Sequence, residues 1–119
     1  MVLSILIVDD SRVSRQIVRR SLPAWDLDVR EASGGHECLS LYHEKRADIV
    51  LLDLTMPGMD GFETLQRLKA LDAQASVIVI TADIQAGSEE RVLTLGAQAL
   101  LPKPVKPDAL QTAMEDCLS

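Results

Sequence analysis

Three short apolar runs constrain this chain more than any other feature: Ile5–Val8 (ILIV), Ile49–Leu52 (IVLL) and Val77–Ile80 (VIVI). All are rich in β-branched residues and unbroken by a polar side chain, and they are too short for helices. Such runs fit strands buried on both faces of a parallel sheet. Two weaker strand patterns, Asp28–Ala32 (DVREA) and Ala97–Leu101 (AQALL), belong nearer the sheet edges. Helical spacing fills the gaps. Val13, Ile17, Val18 and Leu22 are expected on one helix face, Leu65, Leu68 and Leu71 on another. Ala109, Leu110, Ala113, Met114, Cys117 and Leu118 form a third stripe on a helix that Pro107 and Asp108 can start. The segments after Gly35 and Gly87 are also read as helices. Strands and helices in strict alternation imply an α/β fold, a three-layer doubly wound (βα)5 sandwich around a parallel five-stranded sheet.

The chain has 119 residues, 47% of them hydrophobic, enough for one core and one domain over residues 1–119. Eighteen acidic against 12 basic residues give a formal charge of −6, which opposes non-specific binding to nucleic acid or to an anionic membrane. Proteins or a cation are the expected partners. Cys38 and Cys117 form no C-x-x-C pair, so buried or idle thiols in a reducing compartment are expected. The N-terminal MVLSILIVDD is neither a secretory signal nor a membrane span, and a cytoplasmic location is expected.

In sheets of this kind ligands bind at the carboxyl ends of the strands. Here those ends carry Asp9 and Asp10, then Asp53, then Thr81, then Lys103. The glycine-rich phosphate loops G-x-G-x-x-G and G-x-x-x-x-G-K-[ST] are both absent. Carboxylates brought together repel unless a cation joins them, and Mg²⁺ suits such oxygen ligands. With Mg²⁺ and the Lys103 ammonium in place, the corner suits a phosphoryl group, with the Thr81 hydroxyl able to hydrogen-bond it. An aspartate can then act as nucleophile and become an aspartyl phosphate.

The acidic pair, the stretch D-x-x-M-P-G-M-D-G around Asp53, Thr81-Ala82 and Lys103-Pro104 together resemble the receiver domain of two-component response regulators, the CheY-like family. The resemblance runs from about Ser4 to the last helix. It implies a flavodoxin-like sheet of order 2-1-3-4-5. It also implies Asp53 as phospho-acceptor, with Asp9, Asp10, Asp53 and the backbone carbonyl of Thr55 holding Mg²⁺. Thr81 and Lys103 would contact the phosphoryl group, and the Lys103-Pro104 peptide would be cis. Thr55 and Asp83 lie where the family tunes dephosphorylation.

Other residues have plainer roles. Asp60 and Glu63 have capping-box spacing, so Asp60 is read as a helix cap, and Gly58 and Gly61 as turn residues. Asp10 or Ser11 can also cap a helix. His36 and His43 are expected on helix surfaces, and Trp25 in a helix-to-strand turn.

The chain departs from the family at the switch. Leu100 stands three residues before the lysine, where Tyr or Phe is usual, and Val105 stands where Phe is common. The implied function is a phosphorylation-activated signalling switch that promotes only its own phosphorylation and dephosphorylation, rather than an enzyme acting on other substrates. Its donor would be a histidine kinase or phosphotransfer protein, and its output protein partner would meet the last two helices and the fifth strand. A pseudo-receiver that binds partners without phosphorylation is the alternative. A haloacid-dehalogenase-like phosphatase fits less well, because Asp53-Leu54-Thr55 lacks the second aspartate of Asp-x-Asp.

Overall fold

The structure, a computed structural model, describes residues 1–119. Five strands, β1 (Leu3–Val8), β2 (Leu27–Ala32), β3 (Ile49–Leu52), β4 (Val77–Thr81) and β5 (Ala99–Pro102), alternate with five helices. These are α1 (Arg12–Ser21), α2 (Gly35–Glu44), α3 (Gly61–Leu71), α4 (Ser88–Thr94) and α5 (Pro107–Leu118). All strand pairs are parallel, in the order β2-β1-β3-β4-β5.

The two-residue period of the strands sorts their side chains between two cores. Leu6, Val8, Val50, Leu52, Val77 and Val79 face α2, α3 and α4, and pack with Cys38, Leu65, Leu68 and Val92. Ile5, Ile7, Ile49, Leu51, Ile78 and Ile80 face the opposite way, against Val18 of α1 and Leu110, Ala113 and Met114 of α5. Burying each of these large side chains contributes roughly 1.5–3 kcal/mol. Both faces of β1, β3 and β4 are therefore covered, which is why their sequences do not alternate. Trp25 packs beside the second core, and Cys38 is buried while Cys117 is half-buried.

Local signals account for most helix starts. Ser11, not Asp10, caps α1 by accepting from the Ser14 N–H at 3.2 Å, which leaves the Asp10 carboxylate free. Asp60 caps α3 by accepting from the Glu63 N–H at 2.9 Å. Pro107 occupies the first turn of α5.

The helix faces differ in part from the periodicity. In α1 the inward residues are Val18 and Ser21, whereas Val13 and Ile17 remain 66% and 44% exposed. Serine can replace a large apolar residue there because Ser21 Oγ donates to the Ile17 carbonyl at 2.8 Å, so no hydroxyl is buried unpaired. Leu71 and Leu118 are likewise half exposed at the ends of α3 and α5, beyond the reach of the sheet. β5 begins at Ala99 rather than Ala97. The left-handed Gly96 (φ 103°) and the bond from the Ala97 N–H to the Val92 carbonyl at 2.9 Å use the preceding residues to leave α4.

Gly58 serves the turn as expected, with φ 76°. Gly61 does not. It opens α3, and a Cβ there would collide with the Asp53 carbonyl oxygen and lie 2.5 Å from Leu54 Cα. Its glycine is required by close approach of the helix to the backbone that carries Asp53.

Candidate functional site

The strand order brings the polar strand ends to one edge. β1 and β3 are neighbours, so Asp9 and Asp53 follow adjacent strands, and the Asp53 N–H donates to the Val8 carbonyl at 3.0 Å. On the other side of β3, Thr81 closes β4, and the Lys103 N–H donates to the Thr81 carbonyl at 2.9 Å. The sheet ladder thus extends one residue past the strands and rigidly mounts the acidic and basic groups.

Carboxylate oxygens of Asp9, Asp10 and Asp53 all lie within 4.8 Å of one another. Asp9 and Asp53 are buried and Asp10 is exposed. Lys103 Nζ is 2.6 Å from Asp9 Oδ2 and 3.5 Å from Asp53 Oδ2. One ammonium against three carboxylates leaves two negative charges uncompensated when all are ionised. That charge, carried by hard oxygen donors with one member open to solvent, fits a divalent cation such as Mg²⁺.

Asp53 is only 6% exposed. Burial pushes its carboxyl above the ordinary carboxylate range; Lys103 opposes the shift, the Asp9 charge adds to it, and the Thr55 backbone N–H pulls it back down. A carboxylate placed this way is poorly solvated as an anion, and a cation held beside it would favour its ionised form. Thr81 is fully buried, and its hydroxyl accepts from the Asp83 N–H at 3.1 Å. Thr55 and Asp83 are exposed and line a recess of about 390 Å³ between the loops that follow β3 and β4. Arg91 and Phe62 also line it, with the Arg91 guanidinium 3.8 Å from the centre of the Phe62 ring. Leu100 is buried among Val79, Val92 and Ala97, and the Lys103-Pro104 peptide is cis. His36 and His43 are exposed on α2, and neither belongs to the acidic cluster.

Two residues at this edge carry no motif. Arg15 Nη1 donates to the Asp9 carbonyl at 2.6 Å, and Arg15 Nε donates to Glu31 at 2.7 Å. Neither bond is legible in sequence, because Glu31 reaches α1 only through the pairing of β2 with β1.

Residues 5–115 match the response regulator receiver domain family. The chemotaxis protein CheY of Listeria monocytogenes is 38% identical over 114 residues, covering 95% of this chain and 96% of that protein. The sensor protein EvgS of Escherichia coli is 36% identical over 110 residues, covering 92% of this chain but 9% of that much longer protein. Among solved structures, the CheX–CheY–BeF3–Mg²⁺ complex from Borrelia burgdorferi superposes with a TM-score of 0.90 at 28% identity, covering 98% of this chain and 90% of that one. No helix here is long and apolar enough to cross a membrane.

Proposed function

The chain belongs to the response regulator receiver domain family, and on that premise we propose that it is a phosphorylation-activated switch that accepts a phosphoryl group on Asp53. The observation that carries this reading is one buried carboxylate, Asp53, facing Asp9, Asp10 and Lys103 at the sheet edge. Asp9, Asp10, Asp53 and the Thr55 carbonyl would hold Mg²⁺, which supplies positive charge to the transferring phosphoryl oxygens. An Asp53 carboxylate oxygen forms the new P–O bond as the bond from phosphorus to the donor breaks. Lys103 shifts from the carboxylates toward the added anion, and the Thr81 hydroxyl becomes a hydrogen-bond donor to it. The donor is a phosphohistidine of a kinase or phosphotransfer protein. Residues 1–119 form one receiver domain that acts in the cytoplasm, and its output partner is a protein that meets α4, β5 and α5.

Movement of Thr81 would pull on the Asp83 N–H and free space beside Leu100, which then repacks. Relaxation-dispersion NMR of the Leu100 methyls with and without beryllofluoride tests this; unchanged profiles would exclude Leu100 from the switch.

The acceptor itself is tested by intact mass after incubation with Mg²⁺ and acetyl phosphate. Wild type is expected to gain one phosphoryl group, and Asp53→Asn none. No gain in wild type that nonetheless binds Mg²⁺ would instead support a pseudo-receiver.

A further inference from the structure

Asp10 is the exposed member of the acidic cluster, and its carboxylate takes no part in the hydrogen bonds and ion pairs around it. Asp9 is held four ways. Its N–H donates to the Ala32 carbonyl at 3.1 Å, and its Oδ1 accepts from the Ser11 N–H at 2.9 Å. Its Oδ2 accepts from Lys103 Nζ at 2.6 Å, and its carbonyl accepts from Arg15 Nη1 at 2.6 Å. The last of these matters for Asp10. The Asp9 carbonyl belongs to the peptide that joins the two aspartates, and a planar peptide whose oxygen is fixed has a fixed exit direction for the next Cα. What brings the Asp10 carboxylate to the cluster is therefore its backbone, and the side chain that grips that backbone is Arg15.

Arg15 is itself held. Its Nε donates to Glu31 Oε1 at 2.7 Å, while Arg19 Nε and Nη2 donate to Glu31 Oε2 at 3.1 and 2.9 Å. Glu31 lies on β2, directly opposite Ile7 of β1. The sheet thus orients Glu31, Glu31 orients the half-buried guanidinium, and the guanidinium orients the Asp9–Asp10 peptide.

We propose that Arg15, braced by Glu31, is a positioning residue that aims Asp10 at the cation held by Asp9 and Asp53. This rests on the Mg²⁺ site of the reading above, and it makes a sign-dependent claim about that site. Arg15 is a cation beside a cation site, so by charge alone its removal should tighten Mg²⁺ binding. By positioning, its removal should loosen it, as loss of a residue that orients a ligand typically does by about 10-fold or more.

The test is a calorimetric titration of the intact chain with MgCl2, comparing wild type, Arg15→Ala, Arg15→Gln and Arg15→Lys. Arg15→Ala and Arg15→Gln are expected to weaken Mg²⁺ binding about 10-fold. Arg15→Lys, which keeps a donor for the Asp9 carbonyl but not the fork to Glu31, should fall between them and wild type. Without Mg²⁺, the Asp10 amide should lose order in Arg15→Gln, while amides of β3 and β4 keep their wild-type shifts. Equal or tighter Mg²⁺ binding by Arg15→Ala or Arg15→Gln, with wild type binding normally, overturns the positioning role alone. Failure of wild type to bind Mg²⁺ overturns the site reading and this inference with it.

Discussion

The Lys103 ammonium stands 2.6 Å from Asp9 Oδ2, closer than the 3.5 Å that separates it from Asp53 Oδ2. Without a bound metal, the lysine neutralises a carboxylate that a metal would use. At the proposed Mg²⁺ site the two cations would therefore compete. Lys103→Met is expected to tighten Mg²⁺ binding about 10-fold, a modest fraction of the several kcal/mol that a unit charge exerts at contact in a partly buried site. The same variant should accept phosphate from acetyl phosphate more slowly, because the phosphoryl oxygens lose their ammonium. A calorimetric titration paired with timed intact-mass measurement reads both signs; weaker Mg²⁺ binding would contradict the competition.

Ionised Asp53 should cost the fold stability. Burial raises its carboxyl above the unfolded value, so the folded state favours the protonated form. Its contribution is fully present below the unfolded pKa and is lost as pH rises through the folded one. At neutral pH Asp53→Asn should therefore melt at a higher temperature than wild type without metal. The gap should shrink as pH falls toward about 4, the ordinary carboxylate range. Added Mg²⁺ should narrow it too, by stabilising wild type. Thermal melts of both proteins across that range decide the matter, and a less stable Asp53→Asn at pH 7 would reverse the argument.

Gly61 links the backbone that carries Asp53 to α3. Its N–H donates to the Leu54 carbonyl at 2.9 Å, and an added Cβ would press on the Asp53–Leu54 backbone. Gly61→Ala is expected to destabilise the fold by about 2 kcal/mol, within the usual cost of overpacking. It should also displace the Asp53 amide resonance. Chemical denaturation and an amide fingerprint check both, and a neutral Gly61→Ala would mean that the helix can retreat without cost.

Thr55 and Asp83 both line the recess between the loops that follow β3 and β4, each two residues past Asp53 or Thr81. If Asp53 accepts the phosphoryl group as proposed, these exposed side chains would meter the approach of water to it without building the acceptor site. Thr55→Ala and Asp83→Ala are expected to change the lifetime of the phosphorylated form severalfold while leaving its rate of formation within about twofold. Decay of the phosphorylated mass after removal of donor measures this. Unchanged lifetimes in both variants would take the recess out of the hydrolysis route.

Much of this architecture is legible in the sequence because its signals are local. ILIV, IVLL and VIVI appear as β1, β3 and β4, and Asp60 and Pro107 stand at the starts of α3 and α5. Where the reading departs from the structure, a neighbour decides. Val13 and Ile17 match a helical apolar stripe, yet α1 turns Val18 and Ser21 inward, because the small serine lets the helix settle on the sheet. Ala97 matches a strand, yet the turn at Gly96 consumes it.

By itself the sequence determined which chemical groups end the strands: carboxylates after β1 and β3, a hydroxyl at the end of β4 and an ammonium after β5. A strand's end is a local property, set where an apolar run meets a polar residue. Only the tertiary structure decided which of those groups touch. Lys103 reaches Asp9 across 94 residues, and Arg15 grips the Asp9 carbonyl while braced by Glu31 from another strand. Such contacts depend on sheet order and register, which arise from the packing of all five strands together and are written in no single stretch of the chain.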